Sequence, residues 1–336
     1  MIGIADTINA TFKDIHELHN PVNITPDEDE ISLPGKTDGD SAIVQCIRVV
    51  CKDLAKGADP KSGRHRNWKT YCSRINHPEY ISMLQSFKGN RFNVIFLFGG
   101  NIYFLKDHIL SCLNEIPEPK NKLIRMAIGL MENPFNIAGC KVLGLLRKLV
   151  MVPLWRILEK KGHILEMNLF YHQLNTFLKS CDDVDFMLQF MSGKQKPFAD
   201  EYLEMDSILE QLVEDNSQDS LSAVIMQPCL AAFQLYIKRT VPEHLPSGKY
   251  WEASDDVRQY TKSTTKHNKN PERIFGQLDF LVHHRPNVST LSNEAILMFT
   301  YNKTANYLKS LPKKDLDNLC KSVPCVRLKR HRKSSF

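Results

Sequence analysis

The chain has 336 residues, of which 42% are apolar and 24% charged, with a formal net charge of +6. A chain of this length buries well over half of its unfolded surface, so most of it is expected to be globular without disulfide staples. No uninterrupted apolar run reaches the ~18 residues of a membrane span, and the start MIGIADTINATFKD lacks a basic region before an apolar one. Neither a transmembrane helix nor a secretory signal is therefore expected.

Residues 1–20 read as a short helix, with Ile4, Ile8, Phe12 and Ile15 at three- and four-residue spacing. Residues 21–40 are acidic and hold Pro and Gly, the pattern of a linker. Helix resumes after Ser41, which can cap it, with Ile43, Val44, Ile47, Val50 and Leu54 on one face and Gly57 at its close. A basic loop follows, and Trp68, Tyr71 and Ile75 begin another helix that stops before Pro78.

The apolar residues 94–98 could be a buried strand by composition. A helix is preferred, because Phe92, Phe96, Ile102, Leu105 and Ile109 continue a helical stripe, although Gly99 and Gly100 weaken it. Helices are also expected over 119–131, 139–160, 164–180, 183–192, 199–214 and 220–238, with a kink at Pro153. After a loop and the polar stretch 259–270, Ile274, Phe275, Leu278, Leu281 and Val282 form an amphipathic helix ended by Pro286. A last helix from about Thr290 to Leu308 is expected to turn Leu291, Ala295, Met298, Phe299 and Leu308 inward. Period-two patterns are nearly absent, so the fold class is mainly α. The expected division is a short helix (1–20), an acidic linker (21–40), a helical domain (41–255), terminal helices (256–310) and a basic tail (311–336).

Nine cysteines occur, an odd count with no C-x-x-C and no His pair at finger spacing. Buried or free thiols in a reducing compartment, nucleus or cytosol, are expected. Arg327, Lys329, Arg330, Arg332 and Lys333 give the stretch RLKRHRK a charge of +5. Such a cluster is a candidate nuclear-import or nucleic-acid patch, or a solvated end.

Several chemistries find no support. There is no G-x-S-x-G and no P-loop glycine pattern. His283 and His284 are adjacent, so on a helix they diverge by about 100° and make a poor chelate. Asp182, Asp183 and Asp185, and likewise Glu204, Asp206 and Glu210, match no calcium loop and read as solvated helix faces. No metal is expected in this chain alone, and no motif asks for a membrane or a small-molecule substrate. Arg64, His65, Arg66, Trp68, Lys69, Tyr71 and Arg74 interleave cations with aromatics. Cations meet phosphates and aromatics stack on exposed bases, so Arg64, Arg66 and Lys69 are candidate nucleic-acid contacts. An amphipathic helix with a Trp/Tyr core face fits the same pattern.

Three stretches together resemble the hAT superfamily of DNA transposases. The sequence KNPERIFGQLDFLVHHRPNVSTLSNEAILMFTYNKT resembles that family's carboxy-terminal signature, E-R-x-F-S followed by a helix ending in Asn. Glu272, Arg273 and Phe275 match it, Gly276 replaces the small Ser, and Asn302 closes the following helix. KGNRFNVIFLFGGNIYFLKDHI is similar to the T-R-W-N-S segment, with Arg91 and Asn93 in place and Phe92 instead of Trp. IGIADTINATFKDI is similar to the segment after the family's Cys and His pair, with Asp6 and Lys13 in step.

The resemblance implies a helical insertion domain, roughly 110–255, plus the terminal helices of a split, incomplete RNase H-like core. It implies DNA handling by Arg91, Asn93 and Arg273, and Glu272 as the third of three metal-binding carboxylates. In such a site two Mg ions stabilise the entering and leaving oxygens. The two earlier aspartates are expected upstream of Met1. One carboxylate cannot make a two-metal site, so Glu272 is read as vestigial and Mg as relevant only if the other carboxylates are supplied. The terminal helices are implied to assemble subunits through Phe275, Leu278, Leu281, Met298 and Phe299, giving a homo-oligomer that contacts DNA in the nucleus. Two rivals stay open at this level: a truncated form of an active metal-dependent transposase or nuclease, and a helical scaffold that binds protein only.

Overall fold

A computed structural model describes residues 4–19, 39–58, 63–87, 93–117, 121–215, 219–319 and 321. Its helices in chain order are α1 Ile4–His19, α2 Ala42–Leu54, α3 His65–Arg74, α4 Tyr80–Met83, α5 Asn93–Asn114, α6 Lys122–Glu132, α7 Pro134–Leu146, α8 Val152–Glu159, α9 Met167–Ser180, α10 Val184–Met191, α11 Ser207–Val213, α12 Asp219–Thr240, α13 Asp255–Tyr260, α14 Lys269–His284, α15 Thr290–Tyr301 and α16 Thr304–Ser310. Among the described residues, β structure amounts to an isolated parallel bridge between Lys56 and Gln85. The mainly α expectation holds, and the apolar run 94–98 lies inside α5 as helix.

The chain divides into two compact units, Met1–Lys266 and His267–Phe336. The division falls later than the 255/256 boundary expected from loop composition, because His163, just after α8, holds the backbone carbonyl of Arg258 at 2.9 Å. Lys266 also reaches Glu166 at 3.5 Å.

The first unit is built on α5 and α7, which pack directly against each other. Every residue from Phe135 to Leu146 of α7 is buried. The glycines that weaken the helix in sequence explain the packing. A Cβ on Gly100 would stand 3.0 Å from the Cα of Gly144, so two backbones meet where side chains would hold them apart. On α1, Ile4, Ile8 and Phe12 are fully buried. The helix packs on α12 and α2, and Asn9 ties it to Gly39 and Ser41 at 2.7 and 2.9 Å. Ser41 caps α2 as expected, accepting from the Val44 N–H at 3.4 Å. By length and composition α12 could cross a bilayer, yet Ile225, Met226, Cys229, Leu230 and Phe233 bury one side of it in the core.

At Pro153 the helix changes type. A π turn, Arg147–Met151, precedes α8, and the Val152 N–H bonds back to the Arg147 carbonyl. Proline brings no N–H to the ladder, and the wider turn absorbs the mismatch.

The expected helix 199–214 is broken. A short 3-10 turn, Asp200–Tyr202, and α11 flank extended residues, with Leu203 at ψ 155°. Three cations hold this connection. Arg156 donates to the carbonyls of Tyr202, at 3.1 Å, and Leu203. Lys148, nearly buried, donates to Glu204 at 2.9 Å and to Asp206, and Arg147 lies 3.7 Å from Glu204. Glu204 and Asp206 are therefore counter-ions of a buried lysine rather than a solvated helix face. Asp206 also caps α11, accepting from the Leu209 N–H at 3.0 Å.

Replacing Lys148 with Met keeps the stem volume and removes the charge. The two carboxylates are partly exposed and rehydrate, so the expected loss is about 1–2 kcal/mol. Urea denaturation measures it, and proteolysis should open first near residues 200–206.

Candidate functional site

The second unit carries the most distinctive surface. In α14, α15 and α16 the large side chains turn outward. Leu291 is 74% exposed, Phe275 68%, Tyr307 58%, Phe280 57%, Met298 53%, and Phe299 and Val282 each 47%. Among the described residues of this unit only Asn293 and Leu297 are buried. This reverses the expected orientation of the last helix: Leu291, Met298 and Phe299 face solvent. The inward stripe of α15 is Asn293 and Leu297, four residues apart on one face, and Leu278 and Leu281 of α14 are half-buried. The last helix is also two. Asn302 closes α15 as expected, and Lys303 at φ 50° breaks the chain before α16.

Glu272 sits in the first turn of α14 and is exposed. A carboxylate there interacts favourably with the positive helix end. Arg273 lies over the Tyr301 ring at 5.9 Å, tying α14 to α15. His283 and His284 each turn Nδ1 back to the carbonyl four residues earlier, Asp279 and Phe280, at 2.9 Å. The two rings are thus used separately, as adjacency on a helix requires. Among the described residues no group of three His, Cys, Asp or Glu side chains is placed to hold a metal ion.

The basic segment belongs to the first unit. Trp68 is fully buried and Tyr71 is 7% exposed, their rings stacked at 5.8 Å. Neither can stack on a base, which removes that part of the expectation. Arg66 and Lys69 are exposed on the opposite side of α3. Arg64 precedes the helix, its N–H donating to the Asp53 carbonyl at 2.6 Å. Asn93 opens α5. Arg91, Phe92 and the tail residues Arg327, Lys329, Arg330, Arg332 and Lys333 lie outside the described residues. Asp183 caps α10 by accepting from the Phe186 N–H at 2.8 Å. Among the described residues, seven cysteines are buried free thiols: Cys46, Cys51, Cys72, Cys112, Cys140, Cys181 and Cys229.

Sequence reasoning missed Phe280, Ile296 and Tyr307 as members of the outward apolar face; their helical spacing was the available signal. It also missed the pairing of Arg74 with both oxygens of Glu115, at 2.6 and 2.7 Å. The partners are separated by 41 positions, and nothing local announces the contact. No family model, curated protein or solved structure matches the chain.

Proposed function

We propose that this chain is a helical, non-catalytic protein that self-associates through the apolar face of α14 and α15. The observation that carries the reading is the outward placement of Phe275, Leu291, Met298 and Phe299 in a unit whose buried apolar content is Leu297 alone among its described residues. Large apolar side chains clustered at a surface lower their free energy by burial, and aromatic and methionine anchors dominate such interfaces. A second copy offers the same surface, and an isologous pairing covers both at once. The resemblance to the hAT transposases supports the same reading: Phe275, the aromatic residue of the E-R-x-F match, belongs to this face, and subunit assembly is what that resemblance implies for these helices. Nuclear action and DNA contact are what that resemblance implies, and the +5 charge of RLKRHRK is in keeping with both.

Sedimentation equilibrium on the full chain tests the association. The wild type is expected to dimerise or assemble further at micromolar concentration. Phe275→Asp and Phe299→Asp should each weaken assembly by roughly 30-fold or more, since burying a Phe side chain is worth about 2 kcal/mol. A wild type that stays monomeric at 100 μM or so, which marks an association weaker than about −5.5 kcal/mol, overturns the reading.

A further inference from the structure

A second feature, in the first unit, is independent of self-association. A cleft of about 250 Å3 opens between α3 and the end of α5. Arg66, Asn67, Thr70 and Arg74 line one side and Glu115 the other, over a floor that includes Tyr71. Two of its polar side chains, Arg66 and Arg74, are cationic donors, and Asn67 and Thr70 can also donate. Arg74 spends one terminal amino group on both oxygens of Glu115, which neutralises that carboxylate. The rest of its fork makes no hydrogen bond among the described residues.

Arg66 is exposed and has no ion-pair partner among the described residues. Residues 60–78 hold five Lys or Arg and no Asp or Glu, although Arg74 is paired with Glu115 across the cleft. The first turn of α3 has no acid either, and Arg64 at its N-cap makes no side-chain cap. Its amide end therefore adds to the positive potential. With Glu115 matched by Arg74, the charged lining of the cleft keeps the single positive charge of Arg66, which an anion would complement.

We propose that this cleft binds a phosphate group, with the Arg66 guanidinium as its principal partner and the Asn67 amide and Thr70 hydroxyl as further donors. A planar guanidinium presents paired N–H groups to tetrahedral oxyanions. Bases take no part, because Trp68 and Tyr71 are committed to the core. The phosphate can be free, or a diester in a nucleic-acid backbone. From Arg66 to Ser73 the exposed donors of α3 span about 10 Å, enough for two or three phosphates spaced ~3.4 Å along a strand axis.

The test is a titration of the isotope-labelled full chain with pyrophosphate at constant ionic strength, following backbone amide shifts. Saturating shifts confined to residues 66–74 and 112–116 are expected, with affinity reduced about tenfold or more in Arg66→Glu. Lys238→Glu, on distant α12, should leave them unchanged. A short DNA duplex that displaces pyrophosphate and extends the shifts to Lys69 and Ser73 identifies the backbone source; a duplex without effect identifies free phosphate. Shifts that do not saturate, or that persist unchanged in Arg66→Glu, overturn the proposal whatever the oligomeric state proves to be.

Discussion

Gly144→Ala is expected to destabilise the chain by about 2–4 kcal/mol, although alanine is the better helix former by about 1 kcal/mol. The added Cβ would stand 2.8 Å from the Cα of Gly100 and 2.8 Å from Cδ2 of Leu212. The leucine can rotate, but the Gly100 backbone cannot move without displacing α5 from α7. Because these two helices form the centre of the first unit, the displacement reaches the residues packed on both of them. Gly129, inside α6, is the control: a Cβ there meets nothing within 4 Å. Gly129→Ala should stabilise by about 0.5–1 kcal/mol. Gly100→Ala relieves nothing, since it fills the same gap from the other side. Once either alanine has forced the helices apart, the second should cost much less than the first. Urea midpoints for the four variants decide the matter. Equal effects of Gly144→Ala and Gly129→Ala would rule out a close backbone approach as the reason for glycine at this crossing.

That same crossing shows what the sequence could and could not disclose. Helical periodicity is a local property, and it located α1, α2, α9 and α12 well, because their apolar stripes follow the spacing of one face. Gly99 and Gly100 count against a helix when judged by propensity. Their actual role depends on Leu143, which faces Gly99, and Gly144, which faces Gly100, both on another helix, and only the packed structure supplies those partners. The break at Leu203–Asp206 was hidden for a related reason: Lys148, Arg147 and Arg156 hold it from far away in the chain, and no local pattern encodes them.

The carboxy-terminal face was half legible. Amphipathic spacing put Phe275 on the apolar face of α14 and turned Met298 and Phe299 of α15 inward, whereas all three are exposed. Periodicity says which residues share a face and not what the face meets. The basic segment is the converse case. Composition grouped its aromatics with its cations, and helix geometry separates them, Trp68 and Tyr71 into the core and Arg66 and Lys69 toward solvent.

Asp53→Asn should raise stability at pH 8 by up to about 4 kcal/mol and flatten the dependence of stability on pH. The side chain of Asp53 is fully buried at the end of α2, and neither carboxylate oxygen has a hydrogen-bond partner among the described residues. Burial disfavours the charged form and pushes the carboxyl up to about 7; the Arg64 charge opposes this without cancelling it. The buried Cys112 thiol, which also feels Asp53, is pushed up to about 12, chiefly by burial, and brings no charge to the site near neutrality. In the unfolded chain the carboxyl ionises near 3.9, about three units lower. The folded form therefore holds its proton more tightly. Its advantage is complete below about pH 4, declines as the pH rises, and is gone once the pH passes about 7. Three units correspond to about 4 kcal/mol, an upper bound because local opening would admit water to the carboxylate. Asparagine has the same shape and no proton to lose, so the variant should match the wild type near pH 4 and exceed it progressively up to pH 8. Urea denaturation at closely spaced pH values from 4 to 8 reads the difference directly. Parallel curves for the wild type and Asp53→Asn would mean that Asp53 stays ionised in the folded chain, beside a partner that lowers its cost, and that burial does not hold its proton.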